Sequence, residues 1–260
     1  MLPLMASLPD KERAMSSIDS VAQKYRGLYL TAMAQGLEQL IGNAEANAAS
    51  YLHFAETLIE QELQLRNGKR IEQNQRRAAF PVYKSLDDFD YVFQTTISKR
   101  EVNGLLDFGF IDNRENVVFI GSPGVGKTHL TIGLGFKAIE AGYKVCFSTA
   151  LTLIEALELA ELRGELKKKI NQLLKFDLLI IDELGYLPMN KQGMHNLFQL
   201  INAMYEYRSI ILTTNKEFTQ WGEFFFDGNV AVPIVDRIIH HSHIFMLGGE
   251  SYRLKSKLNK

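Results

Sequence analysis

Apolar positions along the chain change their period near residue 80. Upstream, Leu30, Met33, Leu37, Leu40 and Ile41 recur at the three- and four-residue spacing of one helical face, and Leu52, Ala55, Ile59 and Leu63 mark a second. No upstream run alternates as a strand does, so residues 1–80 read as a small helical domain, with Gly68 breaking the second pattern. Two short amphipathic helices bury little alone. Their stripes are expected to rest on each other, on the main domain or on a neighbouring subunit. Pro81 and the acidic turn Asp87, Asp88 and Asp90 mark the linker into residues 81–260. There, short runs rich in Val, Ile and Phe at 117–121, 144–149, 178–182, 209–214 and 243–247 are separated mostly by helix-like segments. Repeated strand-helix units force parallel strands covered on both faces, so the second domain is predicted to be α/β with a parallel sheet flanked by helices.

Composition narrows the function classes. With 29 Lys and Arg against 30 Asp and Glu, the chain is no polycation, and nucleic-acid contact must come from local patches. The densest positive run is Arg66, Lys69, Arg70, Arg76 and Arg77 against Glu72, either a solvated helix face or an arm that contacts phosphates. The single cysteine, Cys146, lies in an apolar run and reads as a small core residue of a reducing compartment. Charges interrupt every apolar run before it reaches the roughly 18 residues that span a bilayer. The first ten residues lack the pattern of a secretion signal, so a cytoplasmic location without membrane contact is expected.

The strongest chemical signal is Gly121-Ser122-Pro123-Gly124-Val125-Gly126-Lys127-Thr128, which has the full spacing of a phosphate-binding loop, follows an apolar strand and opens a helix. Gly124 and Gly126 let successive backbone N–H groups turn toward phosphate oxygens, Lys127 brings a point charge to the terminal phosphates, and Thr128 offers a hydroxyl to magnesium. The following helix, whose first turn includes His129, adds its positive end. The run Leu178-Leu179-Ile180-Ile181 ends in Asp182 and Glu183; the first would support magnesium and the second would polarise the attacking water. A third strand ends in Thr213, Thr214 and Asn215, with Asn215 placed to hold that water and the threonines weaker candidates. Asn215-Lys216-Glu217-Phe218 lacks the aspartate of a guanine-reading motif, so the nucleotide is taken as ATP. His240, His241 and His243 have no Cys or carboxylate at ligand spacing and read as exposed imidazoles at a strand edge. Trp221 and the run Phe224, Phe225 and Phe226 read as core or subunit-interface packing.

These motifs resemble the AAA+ family of P-loop ATPases, in which an additional strand lies between the loop strand and the Asp-Glu strand. Within it the chain is most similar to IstB-type helper ATPases of insertion sequences, which are similar in turn to DnaC-type helicase loaders. The resemblance covers nearly the whole chain. Its specific parts are Leu184-Gly185-Tyr186-Leu187-Pro188 and Glu250-Ser251-Tyr252-Arg253; it also takes in the linker Ser85-Leu86-Asp87-Asp88-Phe89-Asp90 and Val235-Asp236-Arg237.

The resemblance implies an ATP site shared between subunits of a homo-oligomer, with Arg237 of one subunit reaching the terminal phosphate held by the next, where a guanidinium would stabilise charge on the phosphoryl oxygens. A surface pairing of Arg237 with Asp236 or Glu223 is the alternative. Arg253 matches a second arginine of the family, and Phe89 lies where the family's linker borders the adenine. The chain ends soon after Arg253, so no helical lid domain is expected. The resemblance further implies binding of duplex DNA through its phosphates with little sequence preference, and delivery or activation of a cognate transposase. Arg163, Lys167, Lys168 and Lys169 join the first basic run as candidate contacts, although Glu161 and Glu165 among them equally suit a solvated helix. A helicase loader that grips its helicase through the N-terminal helices is the alternative function. A nucleotide-gated scaffold with slow hydrolysis is a third.

Overall fold

A computed structural model describes residues 10–186, 190–224 and 228–258, with side chains over 17–186, 190–222 and 232–255. The chain divides into two compact units, Met1–Glu72 and Gln73–Lys260. The first holds α1 (Asp10–Gly27), α2 (Thr31–Ala46) and most of α3 (Tyr51–Ala78). Its core is Ala22, Ala34, Leu37, Leu40 and Leu58, with Ile18, Tyr25, Met33, Ile41 and Phe54 packed against them. The face expected of α2 is therefore the buried one.

On α3 the expectation fails. Leu52, Ile59 and Leu63 are 80%, 52% and 59% exposed, and the buried row is Phe54, Leu58 and Glu62. The cause is a helix end. Leu30, the N-cap of α2, gives its first turn no side-chain acceptor, and the Glu62 carboxylate instead accepts the N–H groups of Ala32 (2.8 Å) and Met33 (3.5 Å). Bringing Glu62 to that end turns the Leu52 row outward. Gly68 does not end the helix, which runs through to Ala78. An isolated glycine costs only about 1 kcal/mol relative to alanine, which the flanking helix-forming residues offset.

The second unit begins with short helices α4 (Lys99–Asn103) and α5 (Gly109–Asp112) and then alternates strand and helix: β1 (Asn116–Gly121), α6 (Lys127–Ala141), β2 (Val145–Thr149), α7 (Ala150–Leu162), α8 (Leu166–Leu173), β3 (Leu178–Leu184), α9 (Lys191–Met204), β4 (Ser209–Thr214), α10 (Trp221–Phe224), α11 (Gly228–Ile239), β5 (Ser242–Leu247) and α12 (Tyr252–Leu258). The five strands pair in parallel in the order β2-β3-β4-β1-β5. β4 thus lies between the phosphate-loop strand and the Asp-Glu strand, as the additional-strand pattern requires. Burial explains why three strands read as unbroken apolar runs: Val117 to Phe119, Leu178 to Ile181 and Ile211 to Leu212 are all fully buried, with helices on both sides. Trp221 is 0% exposed and belongs to the core. Phe225 and Phe226 lie outside the described residues. No described helix is long and apolar enough to cross a membrane.

Candidate functional site

β3, β4 and β1 are consecutive in the sheet, so their carboxyl ends bring Asp182 and Glu183, Thr213 to Asn215, and the glycine loop together at one edge. Between β1 and α6 the chain turns through Gly124 (φ 85°) and Gly126 (φ 102°), left-handed conformations in which a Cβ would be strained. A Cβ on Gly126 would also stand 2.6 Å from the Phe89 ring, and one on Gly124 2.1 Å from Ser251 Oγ. Gly126 caps α6 without a side-chain acceptor, leaving the first-turn N–H groups and positive helix end free to take an anion. Lys127 Nζ donates to the carbonyls of Gly121 (2.6 Å) and Ser122 (2.9 Å). Burial lowers the pKa of its ammonium; Asp182 and Glu183 pull the other way, and Arg253 adds to the lowering.

The acidic pair occupies a break in the sheet. Ile181 pairs with Leu212 and Leu184 with Thr214, so Asp182 and Glu183 together oppose the single residue Thr213. Glu183 takes φ 64°, a conformation that costs a non-glycine residue on the order of 1–3 kcal/mol. Asp182 is 3% exposed and accepts from the hydroxyls of Thr128 (3.0 and 3.1 Å to its two oxygens) and Thr213 (2.5 Å). Thr213 Oγ1 in turn accepts the Glu183 N–H at 2.8 Å. Glu183 itself is exposed at the cleft, and Asn215 Oδ1 is buried there without a hydrogen-bond partner.

The cleft holds about 480 Å³ and is walled by Pro123 to His129, Glu183, Thr213 to Asn215, the linker from Pro81 to Gln94, and Tyr186, Tyr252 and Arg253. On the linker side Phe89 packs edge-on against Tyr91 and His129, with ring centroids 4.8 and 5.4 Å apart, while His129 Nε2 donates to the Ser85 carbonyl at 2.6 Å. Gln94, 3% exposed, donates from Nε2 to the carbonyls of Val125 and Gly248 (3.0 Å each) and accepts from the Thr96 N–H and hydroxyl (3.1 and 2.7 Å). Tyr252 N–H donates to the Gly124 carbonyl at 3.1 Å. The phosphate loop is therefore held from outside by the linker and by the segment after β5. Sequence reasoning missed Gln94 and the bonds that join Thr213 to Asp182 and Glu183: a lone amide in an aromatic linker and a hydroxyl beside a more obvious asparagine carry no local signal.

Other predicted residues lie elsewhere. Arg237, on α11, is outside the cleft; its Nε donates to Asn202 Oδ1 (3.0 Å), another N–H to the Pro233 carbonyl (3.1 Å), and it lies over the rings of Phe198 and Tyr205. Lys69 and Arg70 of the first unit are exposed; in the second, Arg76, Arg77, Arg163, Lys167 and Lys168 are exposed and Lys169 is half-buried, and none of these six lines the cleft. Arg66 serves its own unit, bonding Glu62 (2.8 Å) and the Tyr29 carbonyl (3.1 Å). Lys168 pairs with Glu165 (2.8 Å), and Glu161 is engaged by Gln192 and Asn196. His243 bonds Glu115 and His240 bonds the Tyr205 hydroxyl, each at 2.8 Å. Leu187 and Pro188 of the motif run lie outside the described residues.

Comparison with known proteins identifies the family. A protein from Geobacillus stearothermophilus named for ATP binding and the insertion sequence IS5376 is 41% identical over 230 residues, 88% of this chain and 92% of its own. A protein from Pseudomonas aeruginosa named for ATP binding and IS21 is 42% identical over 221 residues, 85% of this chain and 83% of its own. The crystal structure of DnaI matches with a TM-score of 0.53 at 17% identity, over 63% of this chain and 90% of that one, a likeness of fold. The fold is thus that of the P-loop AAA+ domains. The family model described as IstB-like ATP binding protein matches residues 23–260, and the chain belongs to that family.

Proposed function

We propose that this chain is a magnesium-dependent ATPase that assembles on duplex DNA and serves as the helper of an insertion-sequence transposase. The observation that carries the reading is the meeting of Lys127 and Thr128, just beyond β1, with Asp182 and Glu183 at the end of β3 beside one cleft. Two relatives with more than 40% identity are named for ATP binding and for insertion sequences, which supports both the nucleotide and the setting.

The residues fit a nucleotide and its metal. The glycine turn and the uncapped end of α6 suit a polyphosphate. Thr128 and Asp182 converge to 3.0 Å as a pair of hard oxygen donors, directly or through water, for a small divalent cation. Bound magnesium would neutralise phosphate charge. Lys127 would leave the carbonyls of Gly121 and Ser122 for the terminal phosphates. Glu183, the exposed carboxylate, would take a proton from the attacking water, which Asn215 would orient through its unpartnered Oδ1. Phe89 and His129 would border the base. Because Arg237 lies outside its own cleft, its guanidinium suits the nucleotide of a neighbouring subunit. The exposed Lys69, Arg70, Arg76, Arg77, Arg163, Lys167 and Lys168, with Lys169, suit phosphate contacts that weaken steeply with salt.

The test combines ATP turnover, a duplex-DNA mobility shift and electron microscopy of protein with DNA and ATP. Hydrolysis that needs magnesium, a shift that needs ATP, and particles larger than dimers are expected. Arg237→Ala mixed with Glu183→Gln should recover turnover, because a mixed interface pairs an intact Arg237 with an intact Glu183. Monomers alone on DNA with ATP, or no gain on mixing, would refute the shared site. Capture of a replicative helicase in place of the transposase would replace the partner assignment.

A further inference from the structure

Resting on the ATPase reading above, we infer that Thr213 is a positioning residue for the hydrolytic step: its one hydroxyl sets both acidic residues in place from the neighbouring strand. β3 carries one residue more than β4 between Ile181 and Leu184, and the bulge leaves Asp182 and Glu183 facing Thr213 alone. A bulge interrupts the ladder and leaves a backbone N–H unpaired. Here the N–H of Glu183 finds the Thr213 hydroxyl at 2.8 Å, and that hydroxyl spends its proton on Asp182 Oδ1 at 2.5 Å. Thr213 is 1% exposed, so water does not replace it.

The direction of the chain of bonds gives the role. Glu183 sits at φ 64°, which its own side chain does not favour; the bond to its N–H holds that backbone and so aims the carboxylate. The bond to Asp182 fixes one carboxylate oxygen on the side of β4, while Thr128 approaches both oxygens from α6. One hydroxyl therefore couples the strand that ends in Asn215 to the cation-supporting aspartate and to the general base. Thr213, 1% exposed at the wall of the cleft, acts through those two residues. Valine matches the shape of threonine and lacks the hydroxyl; serine keeps the hydroxyl and lacks the methyl.

The experiment measures kcat, KM for ATP and the magnesium concentration at half-maximal rate for the full chain and for Thr213→Val and Thr213→Ser, alongside nucleotide affinity in EDTA. Thr213→Val should lose about 10- to 100-fold in kcat or in apparent magnesium affinity, the range usual for groups that orient metal ligands. Its metal-free nucleotide affinity should stay within about twofold, and Thr213→Ser should recover most of the loss. Should Thr213→Val fail to fold, Thr213→Ser against Thr213→Ala makes the same comparison. Equal impairment in the serine and hydroxyl-free variants, or a Thr213→Val variant with both kcat and magnesium dependence of wild type, overturns the inference while leaving the ATPase reading standing. A wild-type chain that binds nucleotide but never hydrolyses it overturns both.

Discussion

Replacing Gln94 by leucine should loosen the grip on the phosphate loop, and the structure sets the size of the effect. The amide joins the linker to Val125 in the loop and to Gly248 beyond β5, with both donor bonds at 3.0 Å. Leucine fills similar space but leaves the two carbonyls without that donor, while Thr96, which is exposed, turns to water. At roughly 1–3 kcal/mol for each buried polar group left unsatisfied, and less for the half-buried Gly248, the loss is about 2–4 kcal/mol. With a urea dependence of roughly 2 kcal/mol per molar, the midpoint should fall by about 1–2 M. Trp221 is the single tryptophan, is fully buried and lies in the same unit, so its fluorescence follows this unfolding directly. Because Val125 lies in the loop itself, affinity for a non-hydrolysable ATP analogue should fall by at least about tenfold, equivalent to roughly 1.4 kcal/mol. Gln94→Glu should do no better, since a carboxylate presents only acceptors to two carbonyls. A midpoint within about 0.3 M of wild type, with unchanged nucleotide affinity, would refute the clamp.

Further outcomes follow from the same geometry. Lys127→Ala should abolish nucleotide binding measured by calorimetry, whereas Glu183→Gln should keep binding and lose turnover by at least about 100-fold, the lower end of general-base contributions. Gly124→Ala forces a Cβ to 2.1 Å from Ser251 Oγ at φ 85°, so it should weaken nucleotide binding and also expose the tail after β5 to limited proteolysis. The Cys146 thiol, raised in pKa by burial and only partly offset by Lys169, should alkylate more slowly than a free cysteine until urea unfolds the chain. Lys127 gives a pH effect of known sign. Its folded pKa lies below 10.5, so between the two values the unfolded chain binds more protons and stability rises with pH. In the absence of nucleotide, the stability difference between wild type and Lys127→Met should therefore move in favour of wild type from neutrality toward pH 10.5.

Much of the fold was legible because it is written in local periods. Apolar runs bounded by polar residues marked all five strands, with ends displaced by no more than two residues, and the loop spacing gave the start of α6 at Lys127. The N-terminal helices were harder. Two apolar rows on α3 compete for burial, and the losing row, Leu52, Ile59 and Leu63, is the more apolar. Amphipathic reading ranks rows by hydrophobicity; it has no means of seeing that Glu62 is wanted at the uncapped end of α2.

The same division runs through the site. Sequence alone determined the chemistry on offer, because a glycine turn ending in Lys127 and Thr128, and an apolar strand ending in Asp182 and Glu183, are contiguous and need only local backbone geometry to be recognised. Tertiary structure alone decided how those groups are held: Thr213 reaching Asp182 from 31 residues away, Gln94 reaching Gly248 from 154 away, and Ser251 seated against Gly124. A hydrogen bond across such a span leaves no mark on the residues beside either partner. It exists only because parallel strands distant in sequence end at one edge of the sheet, where buried polar groups must find partners.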